Sequence, residues 1–122
     1  MKCLVTGDTG FIGQRLVYTL LEQGHSVDGV SRSGCWNDGI LGLPLRKGYH
    51  HYYAALDCWR VFKEWDYSKI YYDAVFHLAG DPYVQGAGYS NWIDNTASTV
   101  NLLSRINLGK PYKFVLASSA TV

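Results

Sequence analysis

No apolar run in this sequence approaches the ~18 residues that a membrane span requires. The N-terminus carries one lysine and a short apolar stretch that ends at Thr6-Gly7, too brief for the core of a secretory signal. Membrane insertion and secretion are therefore not expected. Excess charge is lacking too: 11 Lys and Arg oppose 10 Asp and Glu, a formal net charge of +1. Nucleic acids and membrane surfaces recruit one-sided basic faces, so no partner of either kind is expected. Cysteine is sparse. Cys3, Cys35 and Cys58 lie far apart, form no Cys-x-x-Cys pair and leave one unmatched under any disulfide scheme, which predicts a reducing, cytoplasmic setting. Nor is there a metal-ligand pattern, because the adjacent His50 and His51 would point to opposite faces of a strand. Internal repeats, low-complexity segments and an interdomain linker are all absent, and 122 residues suit one domain.

What is present is an alternation of apolar strands and periodic helices. Lys2 to Thr6 is a short apolar run that ends at a glycine turn, as a buried parallel strand would. From Phe11 to Gln23, Ile12, Leu16, Val17, Leu20 and Leu21 recur at helical steps, and Gly24-His25 supplies a C-cap. Ser26 to Ser31 reads as a second strand. Arg32 to Gly48, glycine-rich and interrupted by Pro44, reads as a long connection whose Trp36, Leu41, Leu43 and Leu45 cover the sheet. Tyr49 to Leu56 is a third strand, Cys58 to Trp65 a short helix with Val61, Phe62 and Trp65 on one side, and Asp73 to Leu78 a fourth strand. Asn91 to Leu108 is the most regular helix, with Ile93, Ala97, Val100, Leu103 and Ile106 in phase; Gly109-Lys110-Pro111 stops it, and Tyr112 to Ala117 is a fifth strand. Strands alternating with helices imply right-handed crossovers, hence an α/β doubly wound parallel sheet of Rossmann type with strand order 3-2-1-4-5. The clustered tyrosines, such as Tyr52-Tyr53 and Tyr71-Tyr72, suit half-buried strands, since a tyrosine buries its ring and keeps its hydroxyl wet.

The glycines of Gly7-Asp8-Thr9-Gly10-Phe11-Ile12-Gly13 carry the chemistry. Glycine triples are common in turns, but this one leaves a strand directly, opens an amphipathic helix and sits in a βαβ unit of about 30 residues. Gly7 would allow the tight turn, Gly10 the approach of a pyrophosphate to the backbone, and Gly13 close packing of helix on strand. Unpaired amides at the helix start, with the positive end of the helix dipole behind them, would then face the anion. A tight turn without a ligand is the simpler alternative.

The G-x-x-G-x-x-G spacing and three further landmarks resemble the extended short-chain dehydrogenase/reductase superfamily, which includes nucleotide-sugar epimerases and dehydratases. Val75-Phe76-His77-Leu78-Ala79-Gly80 is similar to its fourth-strand signature V-F-H-L-A-A, Asn95 to Leu103 to N-V-x-G-T-x-x-L-L, and Phe114 to Val122 to its fifth strand with the serine pair Ser118-Ser119. The resemblance covers essentially the whole chain and implies a nicotinamide dinucleotide cofactor. It also implies that Leu78, Ala79 and Gly80 lie beside the cofactor's ribose and nicotinamide and that Asp57 bonds the adenine amino group, with the Cys58 amide on the ring. Asp57 would equally serve as a helix N-cap. Asn95 supports the nicotinamide side or faces solvent, and His77 is an ordinary strand residue of the family rather than a catalytic one.

Cofactor choice turns on the end of the second strand. NAD-binding members of such folds place an acidic residue there for the ribose hydroxyls. This chain has Ser31-Arg32-Ser33, and a guanidinium meets a 2′-phosphate bidentately. The pattern is similar to GDP-mannose dehydratases, so NADP is expected in preference to NAD, unless Arg32 is only a solvated loop cation. Asp28, the one carboxylate nearby, falls inside the strand and out of register.

Catalysis in the family needs a Ser or Thr at the end of the fifth strand, matched by Ser119, and a Tyr-x-x-x-Lys pair in which the lysine lowers the tyrosine's pKa. No such pair occurs in these residues. The chain is therefore expected to be truncated after the fifth strand and to bind cofactor without turning over a nucleotide sugar by itself. Alternatives are a cofactor half completed by a second chain or a longer product, a sensor of NADP(H), and a decayed fragment. An apolar fifth strand left at the sheet edge further predicts a homodimer, formed there or through the flanking helices.

Overall fold

A computed structural model of the chain describes residues 1–32, 47–61, 65–80 and 88–118. In chain order it contains β1 (Lys2–Thr6), α1 (Phe11–Glu22), β2 (Ser26–Ser31), β3 (Tyr49–Ala55), β4 (Arg60–Val61), a 3-10 turn (Tyr67–Lys69), β5 (Tyr71–His77), α2 (Gly88–Arg105) and β6 (Asn107–Leu116). The sheet runs β4-β3-β2-β1-β5-β6. Every neighbouring pair is parallel except the two-residue β4, which lies antiparallel on β3. With β4 set aside this is the expected 3-2-1-4-5 order. Strand order reverses at β1, which lies between β2 and β5, and the crevice beyond their carboxyl ends is where such sheets bind ligands.

Both faces of the sheet are covered. Alternate residues of β1 feed two clusters: Cys3 and Val5 pack with Val17 and Leu20 of α1, while Leu4 packs with Leu102 of α2, Ile106, Trp65 and Tyr72. Each such apolar side chain taken from water contributes roughly 1.5–3 kcal/mol, so the two helices are held by burial more than by propensity. Asp28 of β2, fully buried, is compensated by the Lys2 ammonium at 2.7 Å and the Tyr72 hydroxyl at 2.6 Å. The Tyr72 oxygen in turn accepts from Trp65 Nε1 at 3.1 Å. No helix among the described residues is long and apolar enough to cross a membrane.

The sequence expectation fails at two places. No helix begins at Cys58: the chain turns over 56–59, with Trp59 at φ +52°, and enters β4. The Trp59 ring packs against Trp65 at 5.6 Å and edge-on to Tyr67 at 5.0 Å. Aromatic burial across the turn thus outweighs a weak local period; Phe62 itself lies outside the described residues. In addition, α2 ends at Arg105 rather than Leu108, because Asn107 donates to the Tyr67 and Ser68 carbonyls at 3.2 and 2.7 Å and starts β6. The Gly109-Lys110-Pro111 stop becomes a bulge, since Tyr72 pairs with Leu108 and Ala74 with Lys113, leaving residues 109–112 opposite Asp73. The connection carrying Trp36, Leu41, Leu43 and Leu45 lies outside the described residues.

Candidate functional site

The glycine turn is locked to the sheet by backbone bonds. Gly7 N–H donates to Val30 O at 2.8 Å and Gly10 N–H to Gly7 O at 3.0 Å. Gly7 has φ +73°, and a Cβ there would sit 2.9 Å from Ala79 N. A Cβ on Gly13 would overlap the Gly7 carbonyl oxygen, so Gly13 serves the packing of α1 on the turn and lies beneath the site. Gly10 differs: a Cβ would meet only Gly7 O, at 3.3 Å. It is the extended N-cap of α1, and no side chain caps the helix start. The first-turn amides are thus left for a ligand or water. Phe11 and Ile12 point outward, 85% and 66% exposed, so only their backbone serves this turn.

A cavity of about 240 Å³ opens above the turn. Its floor is Gly7, Thr9 and Gly10; one wall is Val30, Ser31 and Arg32 from the end of β2, with Ala54, Leu56 and Asp57 from β3 and the turn after it. The other wall is Leu78, Ala79 and Gly80 after β5, with Asn95 and Ser98 from α2. The structure thus brings together most of the residues picked out from the sequence. Cys58 is exposed and outside the lining, and so is Ser118. Ser33 and Ser119 lie outside the described residues. Val30, Ala54 and Leu56 escaped the sequence reading because apolar wall residues look like any core residue, and Ser98 because it stands where the helix signature has glycine.

Beneath the floor, the fully buried Asp8 accepts hydrogen bonds through Oδ2 from the Tyr49 hydroxyl and His51 Nδ1 of β3, at 2.5 and 2.6 Å. The space is left by Gly29, whose Cβ would overlap that carboxylate. The turn is therefore tied through a side chain to β3 as well as through backbone to β2. Thr9 donates to the Ser31 hydroxyl at 3.1 Å, holding the β2 end against the turn.

A second chain of bonds fixes the β5 side. Thr99 donates to Asn95 O at 3.1 Å, so toward His77 Nε2, 2.9 Å away, its oxygen must accept. This assigns the proton to Nε2 and leaves Nδ1 as acceptor from the Thr6 hydroxyl at 2.7 Å. Thr6 Oγ1 in turn accepts from Ala79 N–H at 3.1 Å. Burial pushes the pKa of His77 below the ordinary histidine value, so the ring stays neutral, as both bonds demand. His77 is thereby a link between the turn, the segment after β5 and α2; neither Thr6 nor Thr99 was visible as such in the sequence, since each partner is distant along the chain.

In chemical terms the site offers bare amides and a helix start for a diphosphate, a guanidinium and hydroxyls at the β2 end, and a carboxylate at the β3 end for a base amino group.

The model of the NAD dependent epimerase/dehydratase family matches residues 3–122. The UDP-glucose 4-epimerase of Cyamopsis tetragonoloba is 34% identical over 136 residues, covering 98% of this chain and 36% of that protein. The UDP-glucose 4-epimerase of Klebsiella pneumoniae is 30% identical, covering 100% of this chain and 91% of its own length. Among solved structures, UDP-glucose 4-epimerase from Bifidobacterium longum in complex with NAD+ and UDP superposes with a TM-score of 0.75 at 26% identity, covering 100% of this chain and 38% of that one. Except for the Klebsiella protein, the chain thus spans well under half the length of these relatives and aligns with part of a longer protein. It belongs to the NAD dependent epimerase/dehydratase family.

Proposed function

We propose that this chain binds NADP(H) across the carboxyl ends of β2, β1 and β5 and forms the cofactor-holding part of an enzyme acting on nucleotide sugars. One observation carries this reading: a side-chain-free floor at Gly7 and Gly10 under an uncapped helix start, continuous with a cavity that ends at Arg32 and Asp57. The bound nicotinamide would supply hydride transfer. The protein's own residues hold the diphosphate on the amides after Gly10, the adenine on Asp57 and the nicotinamide side on Leu78, Ala79, Gly80 and Asn95. Relatives named UDP-glucose 4-epimerase, one of them solved with NAD+ and UDP, support the substrate class.

The preference for NADP rests on Ser31-Arg32 in the cavity wall, at the end of a strand whose one acid, Asp28, is spent on Lys2 and Tyr72. Titration of NADPH and NADH into wild type and Arg32→Ala tests it. Arg32→Ala is expected to weaken NADPH about ten- to hundredfold, the value of a charged hydrogen bond, and to leave NADH unchanged. An unaltered ratio overturns the choice of NADP; absence of binding by either nucleotide overturns the whole reading.

Because no Tyr-x-x-x-Lys occurs among these 122 residues, we assign them binding without turnover on their own. Their completion by a longer product or a second chain is the alternative, favoured by the relatives' greater length; restoration of epimerase activity by a second chain carrying that pair would select it. We further propose a cytoplasmic homodimer. Its contact would use the β6 edge, where Tyr112, Val115 and Leu116 are each about half exposed, and the neighbouring α2 positions Val100 and Leu103.

A further inference from the structure

Resting on the adenine contact proposed above, we infer that Asn101 of α2 is a positioning residue that makes the site selective for adenine among purine bases. The turn that carries Asp57 joins β3 to the two-residue β4: only the Ala55–Arg60 and Ala54–Val61 pairs close it, and it returns through Trp59 with a left-handed backbone. Its carbonyls are gripped from the opposite side of the cavity. Asn101 Nδ2 donates to Leu56 O at 2.8 Å and to Asp57 O at 2.9 Å. The amide cannot be reversed, because Arg105 Nη1 donates to Asn101 Oδ1 at 2.9 Å, and an NH2 group there would face a guanidinium. Arg105 is itself held over the Trp59 ring, 5.2 Å from its centroid. Trp59 N–H closes the turn on the same Leu56 carbonyl at 3.3 Å. The loop is thus caught between one helical side chain and its own tryptophan.

This grip has a chemical consequence. The two carbonyls pinned by Asn101 belong to the peptides on either side of the Asp57 Cα, so their direction sets where the Asp57 carboxylate and the next amide, that of Cys58, are aimed. A carboxylate fixed beside the purine 6-position accepts from the amino group of adenine and repels the carbonyl oxygen of hypoxanthine. A loop free to turn away loses this discrimination while the diphosphate and phosphate contacts persist, because those come from the glycine turn and Arg32. Asn101 touches no cofactor atom in this arrangement and acts through the loop.

The test compares NADP with its hypoxanthine analogue, nicotinamide hypoxanthine dinucleotide phosphate, by calorimetric titration of the 122-residue chain. Wild type is expected to prefer NADP at least tenfold. Asn101→Asp, which keeps the shape but sets an oxygen against both carbonyls, is expected to reduce that ratio about tenfold, or ~1.4 kcal/mol. Arg105→Ala, an exposed side chain whose loss frees the amide to turn, reduces it by a smaller factor and covers the case in which Asn101→Asp does not fold. An unchanged ratio in either folded variant, or an equal weakening of both ligands, overturns the inference. A wild type that binds both analogues equally also overturns it, while leaving dinucleotide binding intact; a wild type that binds neither removes the cofactor reading itself.

Discussion

Single atoms decide most at the glycine turn, where three residues of one type have three different duties. Gly13→Ala places a methyl group where the Gly7 carbonyl already sits. Overpacking of this kind costs about 2 kcal/mol, so urea unfolding should show a loss of that size together with lost cofactor binding. Gly10→Ala meets only one atom, at 3.3 Å. Its unfolding midpoint should stay close to wild type while NADPH affinity falls tenfold or more, the scale of one misplaced methyl group in a site. Equal effects of the two substitutions would contradict the separation of packing from ligand approach. At His77 the pKa is depressed by burial. The unfolded chain therefore binds the proton more readily, and the neutral ring's contribution is fully present above about pH 6.5 and lost as pH falls below it. Stability measured by denaturant should decline from pH 7.5 to pH 5, and less steeply in His77→Gln.

At the level of elements, the strands and the glycine turn are secured by side chains to partners distant in sequence. β1 is bound to α2 through Thr6, His77 and Thr99; the turn is bound to β3 through Asp8; β2 is bound to β5 through Asp28 and Tyr72. The last link is the most sensitive, because Tyr72 stands between a buried carboxylate and a buried indole N–H. Burial and the neighbouring Asp28 push its hydroxyl well above the ordinary tyrosine range, so it remains a donor at any working pH. Tyr72→Phe removes the hydroxyl and keeps the ring, and should cost about 1–3 kcal/mol in chemical denaturation. A loss below 0.5 kcal/mol would mean that Asp28 is satisfied by Lys2 alone.

For the whole molecule, the sheet presents β6 as its outer strand at one end, with Val115 and Leu116 about half exposed. A homodimer meeting there should be weakened by Val115→Lys, since edge charge opposes strand addition. Sedimentation should show association of the wild type with rising concentration and less of it in the variant; a wild type that stays monomeric excludes this contact. The order of the five long strands, the glycine turn and most of the cavity wall were legible in the sequence, because apolar period and the φ > 0 of glycine act over a few residues. The turn at 56–59 and the bulge at 109–112 were not, because aromatic rings from 59, 65 and 67 and the side chain of Asn107 settle them across the fold. The same division holds for the site. Its glycine floor is a local property of Gly7 and Gly10 and was written in the sequence, whereas the neutral His77 and the grip of Asn101 on Leu56 exist only when residues 22 to 71 positions apart are packed together, which no local pattern encodes.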